Sequence, residues 1–214
     1  MRYLQSGILP LLFLTFTFQL SAQREETVLG ERGWGFSGLW GGYTHQYTTY
    51  DQTDGWNRGG FFGFEFGKTL NVGWSRSSLR DEIVLTNRDN RRFDFDYNGG
   101  KLGYAFAPYR AIHPVLNFEV GRGVVKIEGL GKDQVFVMQP SAGVEINVFR
   151  WFRLGLEGGY RMVRNYDLGA DLSEDRLSGA YGQATLKFGF SWGRYHKRPD
   201  DSEPASSSSK KEQD

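Results

Sequence analysis

Phe136-Val137-Met138-Gln139-Pro140-Ser141-Ala142-Gly143-Val144-Glu145-Ile146-Asn147-Val148 is the stretch whose pattern decides the fold. Phe136, Met138, Pro140, Ala142, Val144, Ile146 and Val148 occupy every second position, and Gln139, Ser141, Gly143, Glu145 and Asn147 lie between them. A period of two places the two sets on opposite faces of a strand. Faces that divide this cleanly meet one apolar and one polar environment. Pro140 donates nothing to a ladder, so it marks a bulge or a rim.

The same period recurs outward from this stretch. Leu154, Leu156, Tyr160 and Met162 alternate with Arg153, Gly155, Glu157, Gly159 and Arg161. Ala184, Leu186, Phe188, Phe190 and Trp192 alternate with Gln183, Thr185, Lys187, Gly189 and Ser191, and Phe62, Phe64 and Phe66 with Gly63, Glu65 and Gly67. Eight runs follow: 33–48, 56–67, 71–85, 91–107, 114–128, 134–149, 151–164 and 178–193. In three of them the apolar set changes parity at glycine: Gly41-Gly42, Gly99-Gly100 and Gly121 to Gly123. One extra residue at each, a bulge, would keep the apolar face continuous. No segment carries a good helical stripe.

Composition narrows the class. With 26 basic and 25 acidic residues among 214 the net charge is +1, which argues against a nucleic-acid partner. A mean hydropathy of −0.52 excludes a bundle of spanning helices, each of about 20 apolar residues. Twenty-nine Gly and 16% aromatics suit neither a helical bundle nor a disordered chain. The absence of Cys removes disulfides, thiol nucleophiles, Cys-type zinc sites and a lipoprotein anchor.

The ends read differently from the middle. Arg2, the apolar run Ile8–Leu20 and the small residues Ser21-Ala22 form a signal-peptide layout with a cut after Ala22. Residues 1–22 are thus a signal peptide, 23–32 a lead, 33–193 the folded domain and 194–214 a polar, disordered tail. Connections alternate in length. Lys68-Thr69-Leu70, Pro108–His113 and Arg150 are short; Thr49–Gly55, Thr86–Asn90, Gly129–Asp133 and Asn165–Leu177 are polar and mostly longer. That asymmetry matches an all-β, eight-stranded antiparallel up-and-down transmembrane barrel, with short periplasmic turns and long outer loops. Trp34, Trp40, Trp74, Tyr104, Tyr160 and Trp192 stand where membrane-interface aromatics belong. A soluble, secreted lipocalin-like ligand-binding barrel alternates too, with the apolar face inside.

The signal, the Leu-x-Leu-x-x-Gly-Tyr-Arg stretch at 154–161 and the closing Leu-Lys-Phe-Gly-Phe-Ser-Trp at 186–192 resemble the small OmpA/OmpX-type eight-stranded barrels, common in Bacteroidetes as outer-membrane β-barrel or porin-family proteins. The resemblance spans about 33–193. It implies a monomer in the outer membrane of a Gram-negative cell. The expected partners are outer-membrane lipid and lipopolysaccharide, and the barrel-assembly machinery during biogenesis; a surface ligand is left open.

On the inward parity lie Glu65, Glu119, Glu145 and Glu157 and the bases Lys101, Arg153, Arg161 and Lys187. Charges of this kind belong inside a barrel and must pair. They read either as a salt-bridge plug, which suits an interior just wide enough for side chains, or as the lining of a narrow porin-like channel. The lipid A-modifying barrels offer an enzymatic alternative. Their deacylases carry His-x-Ser on the lipid-facing wall, whereas here His45 precedes Gln46-Tyr47 and His113 precedes Pro114-Val115. The histidines read as rim or solvent residues. No catalytic constellation, metal site or cofactor is expected; Asp167, Asp171, Glu174 and Asp175 lack calcium-loop spacing, and Asn87–Arg92 reads as a charged hairpin tip.

Overall fold

The computed structural model describes residues 35–80, 83–85, 91–167 and 173–192. The signal and tail segments, Trp34 and most of the Asn87–Arg92 stretch lie outside the described residues. Among the described residues the strands are β1 (Phe36–Tyr50), β2 (Thr53–Phe66), β3 (Leu70–Leu79), β4 (Ile83–Leu85), β5 (Arg91–Ala105), β6 (Ile112–Ile127), β7 (Gly131–Phe149), β8 (Phe152–Arg164) and β9 (Gly179–Ser191), with a short helix, α1 (Glu174–Leu177), before β9. All pairings are antiparallel between neighbours. β3 and β4 pair in succession with β5, so they form one stave, and the β1–β9 pairing closes the sheet. The result is an eight-staved barrel.

Short turns gather at one end, near residues 67–69, 106–111 and 150–151, together with the start of β1 and the end of β9. The backbone pays there for tightness: Gly67, Lys68 and Ala107 all have positive φ. The longer connections gather at the other end. Strands of 13 to 19 residues exceed the roughly 9–11 that cross a bilayer. Part of the barrel therefore stands clear of any membrane.

That excess length corrects the three expected bulges. Register runs unbroken through Gly41-Gly42, Gly99-Gly100 and Gly121 to Gly123. Among the described pairings, shifts occur near Ser37, near Val148 and between β3 and β4, whose registers against β5 differ by two residues. On β5 and β6 side-chain parity is constant, and the environment changes instead. Toward the loop end Phe93, Phe95 and Tyr97 of β5 point inward and are buried, while Asp94 and Asp96 point out. Toward the turn end of the same strand Leu102 and Tyr104 point outward. β6 repeats this with Val125 and Ile127 inside, and Leu116 and Phe118 outside. The loop-end half has the polarity of a water-soluble barrel and the turn-end half the inverse. Lys126 donates to both Asp94 and Asp96 at 2.9 Å, and these hydrogen bonds hold its ammonium above the usual lysine range. Such a surface belongs in water.

Around the turn-end half the outside is apolar on every stave. Phe62 is 52% exposed, Trp74 58% and Leu156 58%, with Leu102, Phe118, Val144 and Leu186 between them. A continuous belt of this size is stable only against lipid. The soluble-barrel alternative needs the opposite polarity here. Pro140 lies within this belt, not at a rim. The β7–β8 ladder omits Gln139 and Pro140 and resumes at Ser141 opposite Gly159 in the same register.

Candidate functional site in the barrel interior

The inward residues form three tiers. Nearest the turns is a charged cluster. Arg153 of β8 donates from Nη1 to Glu145 Oε1 of β7 at 2.9 Å, and its Nη2 lies 3.6 Å from Glu65 Oε2 of β2. Lys187 of β9 reaches Glu145 Oε2 at 3.2 Å. Glu65 also accepts from the hydroxyls of Ser37, at 3.2 Å, and Ser191. One side chain from each of several staves thus converges on two carboxylates. All four charged groups are buried, so each charge is compensated by a partner and by hydrogen bonds.

Two side chains join this tier against expectation. Trp40 is 1% exposed and faces inward, so it is not a membrane-interface residue. It shares its parity with the inward Thr44, Gln46 and Thr48 on an unbroken β1. Its indole N–H donates to Ser191 Oγ at 3.3 Å, and the Arg153 guanidinium lies 3.9 Å from the centre of its ring. Stacking of that kind contributes about 0.5–2 kcal/mol. His113 is likewise buried, not at a rim. Its Nε2 stands 3.3 Å from Glu145 Oε1 and its Nδ1 3.2 Å from the Arg110 carbonyl. Strand parity carries both into the lumen. His45 instead sits on the outer wall, where its ring meets Tyr43 and Trp56; His196 lies outside the described residues.

In the middle tier Lys101 of β5 bonds Glu119 of β6 at 2.7 Å, and Ser75 donates to the same carboxylate at 2.8 Å. Glu157 accepts from Asn117 at 2.9 Å and Ser141 at 2.8 Å, and has no basic partner within salt-bridge distance among the described residues. A cavity of about 40 Å³ separates these two tiers, lined by Trp40, Phe61, Lys101, Glu145, Glu157 and Lys187. It has room for a few water molecules and no more. Above it, Gln46 bridges Gln139 at 3.0 Å and Asn57 at 2.9 Å.

The loop-end tier is a dry core of Tyr50, Leu79, Phe93, Phe95, Tyr97, Val125, Ile127, Val135, Val137, Val163 and Leu177. Leu177 comes from α1, so the last connection folds back and inserts an apolar side chain into the barrel mouth. Arg161 belongs to this tier. Its Nε donates to the Leu177 carbonyl at 2.9 Å and its Nη2 to the Thr49 carbonyl at 3.3 Å. The Tyr50 ring lies 3.9 Å from its guanidinium. No carboxylate among the described residues reaches it, so the expected matching of four acids with four bases does not occur among them. Three acids and three bases pair, Glu157 is held by neutral donors, and Arg161 is held by carbonyls and rings.

Among the remaining expected interface aromatics, Trp74, Tyr104, Tyr160 and Trp192 all point outward and are exposed. Trp192 packs edge-on to Phe36 at 4.9 Å, at the turn end. The Tyr47–Trp56 pair, at 4.9 Å, forms part of the opposite border.

No protein-family model and no curated protein matches the chain. Solved structures do. The N-terminal β-barrel domain of Pseudomonas aeruginosa OprF matches 73% of this chain and 99% of its own at 13% identity, with a TM-score of 0.51. Neisserial surface protein A matches over 71% and 96% at 13% identity, with a TM-score of 0.49. Ail, the attachment invasion locus protein of Yersinia pestis, matches over 74% and 99% at 17% identity, with a TM-score of 0.43. The OprF barrel carries the comparison of fold. Together with the closed eight-staved sheet and its apolar belt, it shows that this chain has the fold of a small outer-membrane β-barrel.

Proposed function

We propose that the protein is an integral outer-membrane barrel with a plugged interior, non-conducting and non-catalytic, which serves the envelope structurally or by binding through its surface loops. The observation that carries this reading is the dry core at the loop end. Eleven buried side chains, Leu177 of α1 among them, fill the mouth above two tiers of bonded polar groups. An ion crossing this interior would have to displace that packing and shed its hydration in a low-dielectric space. The inward charges are satisfied by one another, by neutral donors at Glu157 and by carbonyls at Arg161, which supports a filled interior. Of the two described histidines, His45 meets aromatic rings on the outer wall and His113 is buried against Glu145 and a backbone carbonyl.

Conductance across planar bilayers tests the reading. Purified, refolded protein with verified insertion should leave the membrane at baseline current. Steady unitary currents through the wild type would reject the plug and restore the narrow channel.

A further inference from the structure

The outer wall changes from apolar to cationic in a single step on four consecutive staves. One hydrogen-bonded row reads Phe62, Trp74, Gly100 and Val120 across β2, β3, β5 and β6. The next row toward the loop end reads Gly60, Arg76, Asn98 and Arg122. Arg58, opposite Ser78, is the diagonal neighbour of Arg76. These positions share the outward parity, and Arg58, Arg76 and Arg122 are all exposed. Below them Phe64, Val72, Leu102 and Phe118 continue the apolar belt.

Among the described residues, none of the three guanidinium groups has an acidic partner within salt-bridge distance. Of the described acids on this face, Asp94 and Asp96 are bonded by Lys126, Asp96 being the diagonal neighbour of Arg76 and Arg122, and Asp54 accepts from Thr49. Arg58 and Arg76 are diagonal neighbours on adjacent strands and Arg122 stands one stave beyond Asn98, so the three cationic groups repel one another weakly until an anion joins them. The wall beside it is recessed. Gly60 presents no side chain, and an open groove of about 640 Å³ runs past Arg58, Gly60, Phe62, Trp74 and Arg76. Strands lie about 4.8 Å apart, so Arg76 and Arg122 stand roughly 10 Å apart at the backbone with Asn98 between them. Their long side chains can converge on one headgroup. Arginine suits phosphate because its planar fork donates two parallel hydrogen bonds.

We infer that this face of β2, β3, β5 and β6 is a docking surface for a phosphorylated glycolipid of the outer leaflet, its phosphates on Arg58, Arg76 and Arg122 and its acyl chains along Phe62, Trp74 and Phe64. The inference rests on the membrane reading proposed above. Charge and polarity select the occupant together: a soluble anion leaves the apolar groove uncovered, and a zwitterionic lipid offers the cluster no net charge.

Refolded protein in zwitterionic micelles is titrated with diphosphoryl lipid A, with its dephosphorylated form and with phosphatidylcholine, and bound lipid is counted by native mass spectrometry. Heat-modifiable gel mobility reports folding, and protease protection in vesicles reports insertion. The wild type should prefer the phosphorylated lipid, with affinity falling as salt rises. Combined Arg58→Gln, Arg76→Gln and Arg122→Gln should weaken it by at least about tenfold, and Arg76→Gln alone by a smaller factor. Lys132→Gln, at the loop end, should match the wild type. Equal binding by the triple or the single variant and the wild type, no preference for the phosphorylated lipid, or full displacement by inorganic phosphate would each overturn the inference. Insertion without lipid preference would remove this inference alone; failure of the wild type to insert would remove the membrane reading with it.

Discussion

Glu145→Gln removes one negative charge and keeps the shape of the side chain. In the structure that carboxylate compensates Arg153 at 2.9 Å and Lys187 at 3.2 Å, and faces His113 Nε2 at 3.3 Å. Breaking a buried pair from one side costs about 3–5 kcal/mol. Two features bring the value to the lower end of that range. Arg153 retains Glu65 at 3.6 Å and the Trp40 ring at 3.9 Å. Lys187 borders the cavity of about 40 Å³, which admits some water. We expect a loss of roughly 3 kcal/mol, read from urea unfolding in one fixed lipid composition. Lys187→Met on the Glu145→Gln background should restore part of it, because a second unpaired charge is removed. A coupling of about 0.5–3 kcal/mol is the expected range for side chains in direct contact. Glu157→Gln is the internal control: its partners are Asn117 and Ser141, so its cost should stay near 1 kcal/mol. A Glu145→Gln midpoint equal to the wild type's, with additive double variants, would refute the claim that these charges are confined and mutually compensated.

Other outcomes follow from the wall and the mouth. Leu156→Arg places a charge in the belt and should cost about 2–4 kcal/mol in lipid, whereas Gln134→Arg, exposed and outward near the loop end of β7, should change stability by no more than about 0.5 kcal/mol; equal losses would misplace the belt. Phe95→Ala empties part of the dry core and should destabilise by about 3–5 kcal/mol; a negligible shift in the urea midpoint would show that the mouth is not packed. An epitope tag in the Asn165–Leu177 connection should bind antibody on intact cells, and one within Ser206–Asp214 should not, because β9 ends among the short turns; labelling of the tail alone would invert the orientation.

Strand existence and parity were legible because each stave repeats a period of two. The last three staves needed nothing more, since their outward sets lie mostly in the belt. Trp40 was not legible by residue type. A tryptophan near a strand end suits a girdle, yet its parity with Thr44, Gln46 and Thr48 places it inside. The apparent phase shift on β1 comes from the inward Trp40 and the register shift near Ser37, whereas those on β5 and β6 come from a change of environment. Phe93, Phe95 and Tyr97 are apolar because that half of β5 encloses a core in water, and Leu102 and Tyr104 because the other half faces lipid. A local pattern records that a residue is buried from water, not which apolar medium it meets. His113 followed the same logic, its odd position on β6 placing it beside Glu145. The partners of the inward charges were illegible, since register between staves, not sequence along one, determines which side chains meet. Arg161 shows the consequence: its ligands are carbonyls of β1 and α1.

The change of environment along a single strand is the most direct test. The chain contains no Cys, so single cysteines can be placed at will. Spin labels at 94, 96, 98, 102 and 104 sample one outward face of β5, and their collision rates with oxygen and with a water-soluble nickel chelate report lipid and water respectively. The account predicts that 94 and 96 meet the chelate, 102 and 104 meet oxygen, and 98 lies at the crossover. Uniform access of the chelate to all five positions in reconstituted vesicles would contradict a barrel half in lipid and half in water.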